Sequence, residues 1–181
     1  AQISQYDMLE LQEFADKLKT WVPDEMQDMT EKLAGELKEL IEPIVALGLD
    51  YLTLDRAGNS LSTGELQRIQ LARTIRNQMT GILYVLDEPS VGLHAENVDA
   101  LIAIIRQLIQ QGNSVLVVDH DVAILEAADH LIEIGPLSGD HGGQVIGQGS
   151  PNQLAQVADS VIAPYLNHTA QIRVRPRLEL D

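Results

Sequence analysis

The chain has 181 residues, 45% of them hydrophobic, and a formal charge of −15, which gives enough apolar content for one sizeable core or a core with a small appendage. It contains no cysteine, which excludes a disulfide scaffold and any cysteine-based zinc module within this segment. No apolar run approaches the roughly 20 residues needed to cross a bilayer and no signal peptide is visible, so a cytoplasmic setting without a membrane partner is expected.

Residues 1–50 carry 12 acidic and 4 basic side chains, more than half of the charge excess. That face repels a DNA duplex. Any DNA contact must come from other segments, helped locally by Arg56, Arg68, Arg73 and Arg76; a plainer reading puts Arg68, Arg73 and Arg76 on the exposed side or C-terminal end of a helix.

Ser4 and Asp7 can begin a first helix, in which Leu11, Phe14, Ala15, Leu18, Trp21 and Val22 recur at helical spacing. Pro23 breaks it. A second helix runs from about Asp24 to Leu47, with Leu33, Leu37, Leu40, Ile41, Ile44 and Val45 as its apolar positions, a kink expected at Pro43, and Gly48 as its end. A third opens at Ser60-Leu61-Ser62-Thr63-Gly64-Glu65-Leu66-Gln67-Arg68, with Leu66, Ile69, Ala72 and Ile75 expected on one face. Ser62 and Glu65 form a capping box, which stabilises a helix start whatever else it does. The same terminus also offers backbone N–H groups, a hydroxyl and a positive dipole end to a phosphate, with Gly64 allowing close approach.

Ile82 to Leu86 is a continuous apolar run, as expected of a strand buried on both faces of a parallel sheet, and it ends in Asp87 and Glu88. Ligands of open α/β sheets bind at that edge. Asp87 is suited to hold Mg²⁺ through a water and Glu88 to polarise an attacking water; the plain alternative is a strand followed by a helix-capping Asp. Ala95 to Gln111 is a helix, with Val98, Leu101, Ile102, Ile105, Leu108 and Ile109 along one face and Gly112 at its end. A second apolar strand, Ser114 to Asp119, is followed by His120, and the intervening helix favours a right-handed crossover that sets Glu88 and His120 on one sheet edge. A lone histidine there is usually a surface or capping residue; beside an acidic strand end it can hydrogen-bond a γ-phosphate. A short helix over Asp121–Asp129, strands over Leu131–Ile134 and Gln144–Ile146, and a helix opening at Ser150-Pro151 follow. The glycines of 135–149 fit hairpin turns, since no lysine accompanies them. Gln171 to Leu180 is an extended, Arg-bearing tail.

The ordered set resembles the second half of an ABC-type ATPase domain: Leu61–Glu65 resembles its signature, Ile82–Glu88 its Walker B strand, Ser90-Val91-Gly92-Leu93-His94 its D-loop, and Val117–Asp121 its histidine switch. More narrowly, it is similar to the N-terminal ATPase half of the UvrA family, the damage-recognition component of the bacterial excinuclease, and its paralogues. Gly48-Leu49-Asp50-Tyr51-Leu52-Thr53-Leu54-Asp55-Arg56, Leu86–His94, Ile134-Gly135-Pro136 and His141-Gly142-Gly143 carry that match, which covers roughly residues 45 to 150. The resemblance implies an α/β fold: a partial P-loop NTPase core with a mostly parallel sheet over 81–165, a helical arm and signature helix over 1–80, and an extended tail over 166–181.

It also implies ATP and Mg²⁺ as ligands, with each nucleotide site built from two ABC halves or two protomers. Ser62, Thr63, Gly64 and Glu65 would contact nucleotide held by the opposite half; Asp87, Glu88 and His120 would serve the nucleotide of their own half, with Ser90, Gly92 and His94 in the D-loop between. DNA and UvrB, the B component of the excinuclease, are the implied partners of the parent. G-x-x-x-x-G-K-[ST] occurs nowhere and the only lysines are Lys17, Lys19, Lys32 and Lys38, so poor ATP binding and inactivity are expected of this chain alone. Thr63 stands where the family usually has glycine, and its Cβ could crowd the phosphate or alter the timing of hydrolysis. Three readings stay open: an ATPase segment of a repair protein that senses DNA damage in nucleotide excision repair, a UvrA-like paralogue handling a drug, and a non-catalytic module lending its signature face to a partner's site.

Overall fold

A computed structural model describes residues 3–77, 79–135 and 143–170. The chain divides into two compact units, residues 1–119 and 120–181.

The first unit begins with a helical pair. Helix α1 (Met8–Leu18) starts at Asp7, whose side chain accepts from Glu10 N–H while the Glu10 carboxylate accepts from Asp7 N–H. Helix α2 (Gln27–Ala46) follows a short 3₁₀ turn after Pro23 and runs on through Pro43. Gly48, at φ +68, turns the chain out of α2, a backbone angle that glycine adopts without a Cβ penalty. Met8, Leu11, Ile41, Leu49 and Leu52 are buried between the helices and the loop after them, with Leu37, Ile44, Val45, Leu61 and Ile69 packed around them. Leu33 and Leu40, expected on the apolar face of α2, are instead about half exposed, at 52% and 48%.

Helix α3 (Thr63–Thr74) has the expected capping box between Ser62 and Glu65. Its inner face keeps the expected Ala72 and Ile69 and otherwise differs from the expectation. The buried residues are Glu65, Arg68, Leu71 and Ala72, whereas Leu66 is 43% exposed. Arg68, expected on the exposed side, is only 6% exposed. The cause is a set of polar partners, described below, that these two charged side chains find on the inside.

Strands β1 (Leu83–Asp87) and β2 (Ser114–Val118) pair in parallel, Leu83 opposite Ser114 and Asp87 opposite Val118, joined by helix α4 (Ala95–Gln110). Val98, Leu101, Ile104 and Leu108 form the buried side of α4, which packs on β2. Asn113 closes the far edge: its Oδ1 accepts from Ile82 N–H at 3.1 Å and its Nδ2 donates to the carbonyls of Met79 (2.9 Å) and Leu108 (3.0 Å). Burial on both faces is not observed. Leu83, Val85, Leu116 and Val118, which share one face by the two-residue repeat of a strand, are 52–62% exposed, because two strands and one covering helix leave that face without a second layer among the described residues.

The second unit holds helix α5 (Val122–Ala127), capped by Asp121, an antiparallel pair of strands β3 (Leu131–Gly135) and β4 (Gln144–Gly149), and two single-turn helices, α6 (Pro151–Leu154) and α7 (Ala163–Leu166). The antiparallel register supports the expected hairpin. Its turn, 136–142, lies outside the described residues, as do the tail 171–181 and Pro136, His141 and Gly142. Helix α7 is an addition to the expected elements. The loop before it is held by buried Glu133, whose Oε1 accepts from Val161 N–H at 2.8 Å and Ile162 N–H at 3.3 Å.

Leu101 is fully buried at the centre of α4. Leu101→Ala should therefore destabilise the chain by about 2–5 kcal/mol, measured from the midpoint of urea unfolding followed by circular dichroism. A loss below about 1 kcal/mol would mean that α4 is not seated as described.

Candidate functional site

The parallel ladder of β1 and β2 determines where the acidic pair stands. Glu88 N–H donates to Val118 O at 2.7 Å, carrying the pairing one residue past the end of β1. Asp87 and Glu88 are both exposed at this C-terminal edge, and neither carboxylate has a side-chain partner among the described residues. Glu88 has φ +47, a left-handed backbone in a residue that is not glycine. Such a conformation is uncommon and persists where surrounding bonds hold it.

The chain then turns sharply. Val91 N–H donates to Glu88 O at 3.1 Å and Leu93 N–H to Ser90 O at 2.9 Å, while Pro89 and Ser90 are buried. Ser90 is anchored from β2: its N–H donates to Asp119 Oδ2 at 3.0 Å and its hydroxyl to Asp119 Oδ1 at 2.6 Å. One carboxylate after β2 thus fixes the start of the loop after β1. Gly92, at φ +78, and His94, which precedes α4 without a side-chain cap bond, complete that loop; both are exposed. His120 follows Asp119 directly and opens the second compact unit.

Helix α3 presents Ser62 and Thr63 as exposed residues at its N-terminus, with Gly64 half-buried behind them. Glu65 faces inward and is held on every side. Its Oε2 accepts from Ser62 N–H at 2.6 Å, its Oε1 accepts from the Tyr51 hydroxyl at 2.5 Å, and Arg56 Nη2 lies 3.6 Å from Oε1. The Tyr51 hydroxyl and the Ser62 N–H bonds to its charged form hold its pKa down to about 2, and the reciprocal bond to this carboxylate pushes the Tyr51 hydroxyl up. Arg56 also donates from Nε to Ser60 Oγ at 3.3 Å. Tyr51 and Arg56 therefore brace the turn that leads into α3.

The next turn of the same helix reaches β1. The Gln67 side-chain amide, oriented to satisfy both partners, donates to Asp87 O at 3.2 Å and accepts from Asp87 N–H at 3.0 Å. Arg68 Nη1 donates to Val91 O at 3.1 Å. Sequence patterns assign no site role to Tyr51 or Gln67, and they name Arg56 only as a local aid to DNA contact and Asp119 only as part of the switch segment. One signal was available: Glu65, Arg68 and Ala72 recur at i, i+3 and i+7, which sets two charged residues on the buried face.

Several relatives match this segment. The UvrABC system protein A of Staphylococcus epidermidis is 43% identical over 153 residues, which is 82% of this chain and 16% of that protein. That of Pseudomonas putida is 43% identical over 147 residues, 81% of this chain and 16% of its own length. The Listeria monocytogenes protein is 39% identical over 166 residues, 92% of this chain and 17% of that protein. The chain thus spans about a sixth of the length of these curated relatives. Among solved structures, UvrA2 from Deinococcus radiodurans superposes with a TM-score of 0.83 at 32% identity, over 97% of this chain and 23% of that one. No family model matches.

A group whose folded pKa is depressed contributes stability that is present above its unfolded value and lost as the pH falls through the folded one. Glu65, lowered from 4.5 to about 2, stabilises the fold above pH 4.5 and ceases to do so on acidification toward about 2. Tyr51→Phe should consequently destabilise the chain at neutral pH, and the gap from wild type should shrink between those two values in urea titrations at stepped pH; a gap independent of pH would contradict the bond. Sequence and fold together show this chain to be similar to a segment of the UvrA proteins.

Proposed function

We propose that this segment supplies the signature, Walker B, D-loop and switch elements of a UvrA-like ABC ATPase, which couples ATP binding and hydrolysis to damage recognition in nucleotide excision repair. The observation that carries this reading is that one helix, α3, begins in an exposed hydroxyl-bearing turn and one turn later meets the backbone of the acidic strand end. The repair reading is preferred to the paralogue and to the non-catalytic module because the curated relatives are UvrABC system A proteins and the acidic pair is intact.

The roles follow from chemistry. Ser62, Thr63, Gly64 and the first N–H groups of α3 form an anion-binding terminus for nucleotide held by an opposite half or protomer. Glu65 shapes that turn from inside. Asp87 offers an oxygen donor of the kind Mg²⁺ accepts through water, beside phosphate oxygens. Bound there, the ion would neutralise charge building on the transferred phosphoryl group. Glu88 takes the proton of the attacking water, and His120 hydrogen-bonds the γ-phosphate. Ser90, Gly92 and His94 form the loop that borders both sites, anchored by Asp119.

By role, residues 1–80 serve as arm and signature helix and 81–165 as ATPase core. The exposed apolar face of β1 and β2 supports a further core layer supplied by other parts of the protein. The acidic first 50 residues repel a DNA duplex, so DNA engages other parts of the protein, and UvrB is a partner by the resemblance.

In the complete protein, Glu88→Gln should lower ATP turnover by roughly 10²-fold or more while nucleotide binding survives, read by steady-state phosphate release. Unchanged turnover would remove Glu88 as the general base. ATPase and DNA affinity that ignore lesions in duplex DNA would contradict the repair reading and leave the ATPase reading standing. The 181-residue chain alone, lacking the phosphate-loop pattern, should show no ATP binding by calorimetry. Tight binding would overturn that expectation.

A further inference from the structure

In a parallel ladder, alternate residues of a strand direct their N–H and C=O groups to opposite sides. Glu88 N–H bonds to Val118 O, so Asp87 directs its own N–H and C=O to the outer edge of β1, away from β2. That edge is closed at Asp87 by the primary amide of Gln67, which donates to the carbonyl and accepts from the N–H as a neighbouring strand's peptide would. The peptide groups before and within Glu88 are thereby tied on three sides: Gln67 at Asp87, Val118 at Glu88 N–H, and Val91 N–H at Glu88 O. Glu88 holds φ +47 between those ties.

We propose that Gln67 is a positioning residue for the general base: by clamping the Asp87 backbone from the signature helix, it fixes the left-handed conformation that aims the Glu88 carboxylate. This rests on the assignment of Glu88 as general base. It has a consequence for coupling. Gln67 lies on the same rigid helix as Ser62 and Thr63, with Arg68 tying that helix to Val91 O at 3.1 Å. A displacement of the helix start by nucleotide at one site is therefore delivered to the base of the other. A side-chain amide suits this task, since it satisfies both peptide groups without committing the edge to a further strand.

The test uses the complete protein with two variants, Glu88→Gln and Gln67→Met. Gln67→Met keeps the length and loses both bonds. Its kcat should fall on the order of tenfold with KM nearly unchanged, as expected when a reacting group is misaimed and substrate binding is left intact. Hydrogen exchange at the Asp87 amide should accelerate in parallel. The fall in kcat with KM unchanged is the readout that loss of packing alone would not give. If Glu88→Gln abolishes turnover while Gln67→Met keeps wild-type kcat, or loses kcat only together with a matching rise in KM, the positioning role is refuted and the base assignment stands. If Glu88→Gln retains turnover, both are refuted.

Discussion

The hydrogen bond from Glu88 N–H to Val118 O extends the β1–β2 ladder past the last strand residue, and the candidate site depends on it. It brings the ends of two parallel strands level, so that Asp87 and Glu88 leave one strand where Asp119 leaves the other. The turn that follows is then short enough for Asp119 to hold Ser90 by two bonds. Without that register the acidic pair would have no fixed relation to the loop after it, and the Gln67 amide would have no peptide edge to close.

Two kinds of force divide the labour. Apolar burial assembles the supports: Met8, Leu11, Ile41, Leu49 and Leu52 under the arm, and Val98, Leu101, Ile104 and Leu108 beneath β2. Polar bonds with charged or backbone partners then set the angles. Buried Glu65 and Arg68 would be costly in an apolar interior. Tyr51, Ser62 and Arg56 satisfy the first, and the Val91 carbonyl engages the second. Those bonds convert a helix of weak apolar character into a rigid link between an exposed phosphate-suited turn and the edge of a sheet.

Much of this was legible in the chain. The caps at Asp7 and Ser62, the stop at Gly48, the apolar stripe of α4 and the two apolar strands are local signals, and each element formed within a few residues of where periodicity placed it. The places of the candidate residues in the fold were legible for the same reason, since motifs at strand ends and helix starts report their own positions. What was not legible is non-local. Whether the outer face of Val85 and Val118 is covered depends on layers that no periodicity reports. Arg68 reads as a surface cation until its contact with Val91, 23 residues away, is known. Gln67 looks like an ordinary helix former until the unpaired edge of Asp87 comes beside it. Helix α7 is a single turn, too short to show a period.

In the proposed site, α3 faces nucleotide with its first turn and holds the hydrolytic strand with its second. A crystal structure of the complete protein with a non-hydrolysable ATP analogue and Mg²⁺ tests it most directly. The expected result places the γ-phosphate of an opposite site against the Ser62–Gly64 backbone, with Gln67 still paired to Asp87 and Glu88 at positive φ. A nucleotide-bound structure in which this turn contacts no phosphate, or in which Gln67 has left Asp87, would contradict the claim.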